Sequence, residues 1–171
     1  MADAEIQDAF MYFDGGKVPI QGSTTDKDLS QKSAFELLSF SIMGNNSTNI
    51  GSSRGGGGGA GKVMYEKISC TKFSDKSSVQ LFQAMSTGTH YPEVFIELRR
   101  NGHTYLKFCF KQCLVSDMTL AQGGNTESID NFILDYGAVK IEYWDQDTHG
   151  NLKKVSDMMW SRVLNTNEYS T

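Results

Sequence analysis

The segment Val94-Phe95-Ile96-Glu97-Leu98-Arg99-Arg100-Asn101-Gly102-His103-Thr104-Tyr105-Leu106-Lys107-Phe108-Cys109-Phe110 decides the fold. Val94, Ile96 and Leu98 alternate with Phe95, Glu97 and Arg99. After Asn101-Gly102 the rhythm resumes, with Leu106, Phe108 and Phe110 on one side and Tyr105, Lys107 and Cys109 on the other. A period of two sends alternate side chains to opposite faces of a strand, and Asn-Gly supplies the two positive-φ positions of a tight hairpin turn. The segment reads as an antiparallel hairpin with one apolar face.

The same rhythm extends outward. Downstream, a further strand is expected over residues 113–120, a loop at Gly123-Gly124, a strand within 127–136, a turn at Gly137 and a strand over 139–144, where Val139, Ile141 and Tyr143 share a face. Upstream, Phe10-Met11-Tyr12-Phe13 before Asp14-Gly15-Gly16 reads as a first strand and residues 22–31 as a polar loop. Residues 35–42 read as a second strand that turns Leu38, Phe40 and Ile42 to one side. A single helix is expected over 77–86, capped by Ser77 or Ser78, with Val79, Phe82 and Met85 as its buried stripe and Gly88 as its stop. The expected fold is all-β: a small antiparallel β-barrel with one short flanking α-helix, closure removing the edges that so many strands would otherwise expose.

A chain of 171 residues suits one domain with a moderate core. Residues 1–150 are expected to form the β-barrel domain, including a flexible Gly/Ser/Asn-rich loop at 44–61. Residues 151–171 form a short tail in which Val155, Met159 and Val163 can share one side of an amphipathic helix. Met158-Met159-Trp160 is expected to dock this tail on the barrel or on a neighbouring subunit.

Within the loop, Gly56 through Gly61 and Lys62 spell G-x-x-x-x-G-K, the outline of a phosphate-binding loop. Val63 stands where a Ser or Thr hydroxyl would hold magnesium, and Val63-Met64-Tyr65-Glu66-Lys67-Ile68 alternates like a strand, whereas a phosphate loop opens onto a helix. The run reads as a flexible connection between β segments.

A formal charge of −4 gives no footprint for nucleic acid or an anionic membrane, and Arg99-Arg100 and Lys153-Lys154 are isolated basic pairs. No stretch nears the ~20 apolar residues of a membrane-spanning helix. The N-terminal Met1-Ala2-Asp3-Ala4-Glu5 lacks the basic-then-apolar order of a secretory signal, so synthesis in the cytoplasm and export without a cleaved signal are expected. Three cysteines argue against a disulfide framework. Cys109 and Cys113, roughly 13 Å apart along a strand, are too far apart for one zinc, and reduced, buried thiols are expected.

His90, His103 and His149 fall in predicted turns without a second ligand at metal spacing. No G-x-S-x-G motif is present, and Glu93 and Glu97 read as ordinary residues of a half-exposed strand. No catalytic, cofactor-binding or metal-binding residue is assigned, and an enzyme is not expected.

A resemblance adds to this reading. Phe35-Glu36-Leu37-Leu38-Ser39-Phe40-Ser41, Lys72-Phe73-Ser74-Asp75-Lys76-Ser77-Ser78-Val79-Gln80-Leu81-Phe82 and Gly88-Thr89-His90-Tyr91-Pro92-Glu93-Val94 occur in that order. They are followed by Tyr105-Leu106-Lys107, Val115-Ser116, Leu134-Asp135-Tyr136-Gly137 and Ile141-Glu142-Tyr143. Together they resemble the haemolysin-coregulated protein (Hcp) family of bacterial type VI secretion. The resemblance implies a β-barrel with a flanking helix that assembles as a homo-hexameric ring. It further implies rings that stack into the inner tube expelled by a contractile sheath, effectors held in the lumen, sheath and spike proteins as partners, and no catalytic residues. It places the glycine run in an extended loop that contacts neighbouring rings and is expected to be disordered in an isolated ring. Ser30-Gln31-Lys32-Ser33-Ala34 departs from the Gly-His that members often carry there. The competing reading is a non-tubular β-barrel adaptor that binds other proteins.

Overall fold

The computed structural model describes residues 7–50 and 59–171. Besides a short 3-10 helix at Ser30–Lys32, eleven strands and one α-helix make up the regular structure of these residues: β1 (Gln7–Asp14), β2 (Phe35–Leu37), β3 (Ser39–Ser41), β4 (Gly44–Asn49), β5 (Gly59–Tyr65), β6 (Ile68–Phe73), α1 (Lys76–Thr87), β7 (Tyr91–Arg100), β8 (His103–Ala121), β9 (Ile129–Asp135), β10 (Ala138–Gln146) and β11 (Leu152–Ser161). All named pairings are antiparallel. One layer runs β2-β1-β7-β8-β10-β11 and the other β8-β9-β6-β3, so the chain is mainly β, as expected.

The layers share β8 and meet again at Leu38, but they do not close into a continuous barrel of ladders. β2 and β3, at the two ends of the hydrogen-bonded path, are joined through the chain and not paired with each other. The expected single strand over 35–42 is therefore two short ones. β2 pairs with β1 and β3 with β6, and the Leu38 amide donates to the Thr71 carbonyl at 2.8 Å. The buried side changes parity at this junction: Phe35 and Leu37 are buried, Phe40 packs partly on the core, and Leu38 is 48% exposed.

β8 merges two expected strands into one of 19 residues. Phe108 and Phe110 are buried, and the next buried positions are Cys113 and Val115, one step out of phase. The phase changes at Gln112, whose φ of +53° is left-handed, while the register shift against β9 comes later, between Val115 and Asp117. β8 pairs with β10 up to Lys111 and with β7 up to Cys113; from Leu114 it pairs with β9. The hairpin turn lies at Asn101 and Gly102, with φ of +50° and +77°.

The cap of α1 is Asp75, two residues earlier than the first serine proposed. Its Oδ1 accepts from the Ser77 amide at 2.9 Å, and Ser78 Oγ accepts from the Asp75 amide at 2.9 Å, a reciprocal capping box. Gly88, at φ +61°, ends the helix. Its buried face is Ser77, Ser78, Leu81 and Ala84, with Phe82 and Met85 partly covered and Val79 71% exposed. The expected three-residue stripe is thus rotated, because helix side chains stack at intervals of three and four together.

Two further expectations give way. Residues 44–61 are not loop throughout: β4 and β5 pair as a separate two-stranded ribbon, and residues 51–58, with most of the glycine run, lie outside the described residues. The tail is not helical: β11 pairs along the whole of β10, from Ala138–Ser161 to Gln146–Leu152. An apolar set at Val155, Met159 and Val163 fits a helical period, but free backbone groups on β10 offer a ladder that the short segment takes up instead.

Candidate functional site

Polar clusters fix the surfaces that the layers present. Lys72 on β6 and Asp130 on β9, opposite each other in register, are 1% and 0% exposed. Lys72 Nζ donates to Asp130 Oδ2 at 3.1 Å and to Asp75 Oδ1 at 2.8 Å. Ser74 Oγ donates to Asp130 Oδ1 at 2.7 Å, and Ser78 Oγ reaches Asp130 as well. The cluster ties the first turn of α1 to both strands. A charged pair so deeply buried holds only if its remaining donors and acceptors are satisfied, as they are here.

A second cluster lies on the opposite face of the first layer. Residues 22–34, which include the polar loop expected over 22–31, cross over β1 and β7, where Leu29 and Ala34 join Phe10, Tyr12 and Phe95 in a small second core. Glu97 of β7 accepts from Tyr12 Oη at 2.6 Å and from Thr104 Oγ1 at 2.8 Å, and lies 3.3 Å from Lys32 Nζ and 3.4 Å from Lys107 Nζ. Burial alone would push the Glu97 carboxyl up; these hydrogen bonds and cations outweigh it and hold the group at about 2. The Tyr12 and Phe95 rings stack 4.9 Å apart, with Lys32 over the first and Lys107 over the second. Arg99 closes the crossing segment with Asp26 at 2.7 Å and Asp28 at 3.1 Å. Backbone hydrogen bonds from Leu29 and Asp28, with the Arg99 charge, hold the Asp26 carboxyl below its ordinary range.

The residues weighed for chemistry do not converge. His90 precedes β7, His103 opens β8 and His149 sits in the β10–β11 turn, all three exposed. Glu97 is committed to its cluster and Glu93 accepts from Tyr169 Oη at 3.2 Å. Lys62 lies exposed within β5, a strand and not the first turn of a helix. Cys70, Cys109 and Cys113 are free and buried, and burial pushes each thiol up, Cys109 to about 11. Among the described residues no group of three His, Cys, Asp or Glu side chains could hold a metal, and no helix is long and apolar enough to cross a membrane.

What the surface offers instead is edges. β2 and β11 are the opposite edges of the first layer. The β11 edge carries Lys153 and Lys154 and a bulge at Val155, which falls between the Tyr143–Ser156 and Trp144–Lys154 pairs. Leu38 and Phe73 are exposed where β2 gives way to β3; Val155, Met158, Val163 and Leu164 are exposed on and just beyond β11. The β4–β5 ribbon adds Met43 and Met64.

Comparison with known proteins places this arrangement. Residues 10–143 match the family model described as "Type VI secretion system effector, Hcp". The chain belongs to the Hcp family. The matched region runs from β1 into β10 and takes in α1, the second layer and the first layer up to β10, leaving out β11. Protein hcp1 of Pseudomonas aeruginosa is 34% identical over 94 residues, 52% of this Hcp chain and 58% of the length of that relative. Among solved structures, one described as that of a type six secretion system protein has a TM-score of 0.82 at 25% identity, covering 95% of this chain and all of its own. Hcp1 from Salmonella typhimurium shares the fold, with a TM-score of 0.70 at 22% identity, covering 91% of this chain and 94% of its own.

Both polar clusters escaped the sequence reading. Lys72 and Asp130 are 58 residues apart in the chain and meet only through the β6–β9 register. The parity of β7 did place Phe95, Glu97 and Arg99 on one side, but nothing local marked residues 22–34 as what covers them.

Proposed function

We propose that this Hcp chain is a non-catalytic structural subunit that closes into a homo-hexameric ring. Rings stack into the inner tube of a type VI secretion machine, and effectors travel in the lumen. Its further partners are the sheath and spike proteins, with no role in binding nucleic acid or inserting into membranes. It is made in the bacterial cytoplasm and leaves without a cleaved signal. The observation that carries this reading is the family match over residues 10–143, extended by the full-length likeness to a type six secretion system protein.

The surface is consistent with it. A head-to-tail ring needs two different complementary patches per subunit, so that each contact repeats under rotation until the ring closes. The β2/β3 junction, with Leu38 and Phe73, and the β11 edge, with Val155 and Met158, are two such unlike patches. The buried Lys72 and Glu97 clusters stiffen the layers without offering a converging set of titratable groups to a substrate.

Native mass spectrometry of the purified chain tests the proposal, with negative-stain images to show the particle. A mass of six chains and open-centred rings is the expected result. A monomer across the accessible concentration range would sink the ring, and six-chain particles that never stack on addition of crowding agents would remove the tube.

A further inference from the structure

After β11 the chain turns back. Ser161 pairs with Thr166, its amide donating to the Thr166 carbonyl at 2.9 Å, and Asn165 takes φ +52° to make the reversal. The last residues then cross the outward face of β7, β8 and β10. There the Tyr169 ring lies 4.5 Å from Lys111 Nζ and 5.2 Å from Lys140 Nζ. Tyr169 Oη donates to Glu93 at 3.2 Å, and Lys111 Nζ donates to the Tyr169 carbonyl at 3.1 Å. Thr171 packs on Gly137, where an added Cβ would meet its methyl group at 2.6 Å. The segment is thus held at three strands and at the turn between β9 and β10.

What lies under it is unusual for that face. Tyr105, Lys107, Cys109 and Lys111 alternate outward on β8, opposite the core-facing Phe108 and Phe110. Cys109 is nevertheless 3% exposed. Its cross-strand neighbours are Phe95 on β7 and Lys140 on β10, and Lys111 is the next outward residue. The two lysines under the Tyr169 ring therefore border the thiol on two sides.

We propose that residues 166–171 form a strap, latched by Tyr169 in the notch of Glu93, Lys111 and Lys140, that closes the outward face of the first layer over Cys109. Opening requires no break in any ladder, only release of the Tyr169 contacts, of the Thr171 packing at Gly137 and of the pair at Ser161 and Thr166. Closed, the thiol is buried and protonated. Open, it lies in water beside Lys107 and Lys140, whose charges favour the thiolate against the opposing charges of Glu142 and Glu93. The strap sets when this face and its thiol become available.

The test is the rate at which Ellman's reagent modifies each cysteine in the full chain, resolved by peptide mass. Tyr169→Ala removes the latch, and Tyr169→Phe removes only the hydrogen bond to Glu93. Cys109 should react roughly tenfold or more faster in Tyr169→Ala and at an intermediate rate in Tyr169→Phe, while the core thiols Cys70 and Cys113 keep their rates. An unchanged rate at Cys109 would overturn the proposal. So would an equal rise at all three cysteines, which would mean that Tyr169 supports the fold as a whole.

Discussion

Lys72 Nζ and Asp130 Oδ2 lie 3.1 Å apart with both side chains buried, and the pair joins the two strands on which the N-terminus of α1 rests. Such a pair is costly to form and costlier to halve, since either partner left alone is a buried charge without compensation.

Lys72→Met should lower the stability of the chain by about 3–5 kcal/mol, whereas Lys72→Met combined with Asp130→Leu should recover part of that loss. Urea unfolding followed by tryptophan fluorescence measures both. If the single substitution were no worse than the double, the pair would not be coupled.

Acid should act first through Glu97. Its folded carboxyl is held at about 2, below the ordinary carboxylate range, so the folded state takes up its proton less readily than the unfolded chain does. The stability it contributes is present above about pH 4.5 and is lost as pH falls from there through about 2. Glu97→Gln should melt well below the parent near pH 7, and the two melting curves should converge toward pH 2.

On α1 the rotated stripe separates two neighbours. Leu81→Ala should cost about 2–5 kcal/mol, since Leu81 is fully buried. Val79→Ser, at a position 71% exposed, should stay within about 0.5 kcal/mol. The reverse order in thermal melts would restore the stripe of Val79, Phe82 and Met85.

The β11 edge is guarded by Lys153, Lys154 and the bulge at Val155. Replacing both lysines with valine should leave the melting temperature nearly unchanged and raise light scattering in concentrated solution, because a flat apolar edge recruits other strands. Clear solutions would show that the bulge alone protects the edge.

Much of the fold was legible because alternation is local. The hairpin of β7 and β8, with its turn at Asn101 and Gly102, could be read directly, as could the run through β9 to β10. The misreadings share one physical origin. At Leu38 and at Gln112 a single residue shifts the parity of a strand, and a period of two cannot say whether such a shift ends a strand or bends it. β11 was hidden differently: its apolar residues fit two periods, and the choice was made by the vacant backbone of β10. The polar clusters depend on register between distant segments, which no single stretch of chain records.

The unbroken course of β8 has a mechanical consequence. One strand of 19 residues is stitched to β7 and β10 over its first half and to β9 over its second. Its hydrogen bonds run across the strand, so a push or pull along it loads many of them at once in shear instead of opening them one after another. Force entering at one end of the domain is spread over both layers through this one strand, and the protein should yield last along that axis.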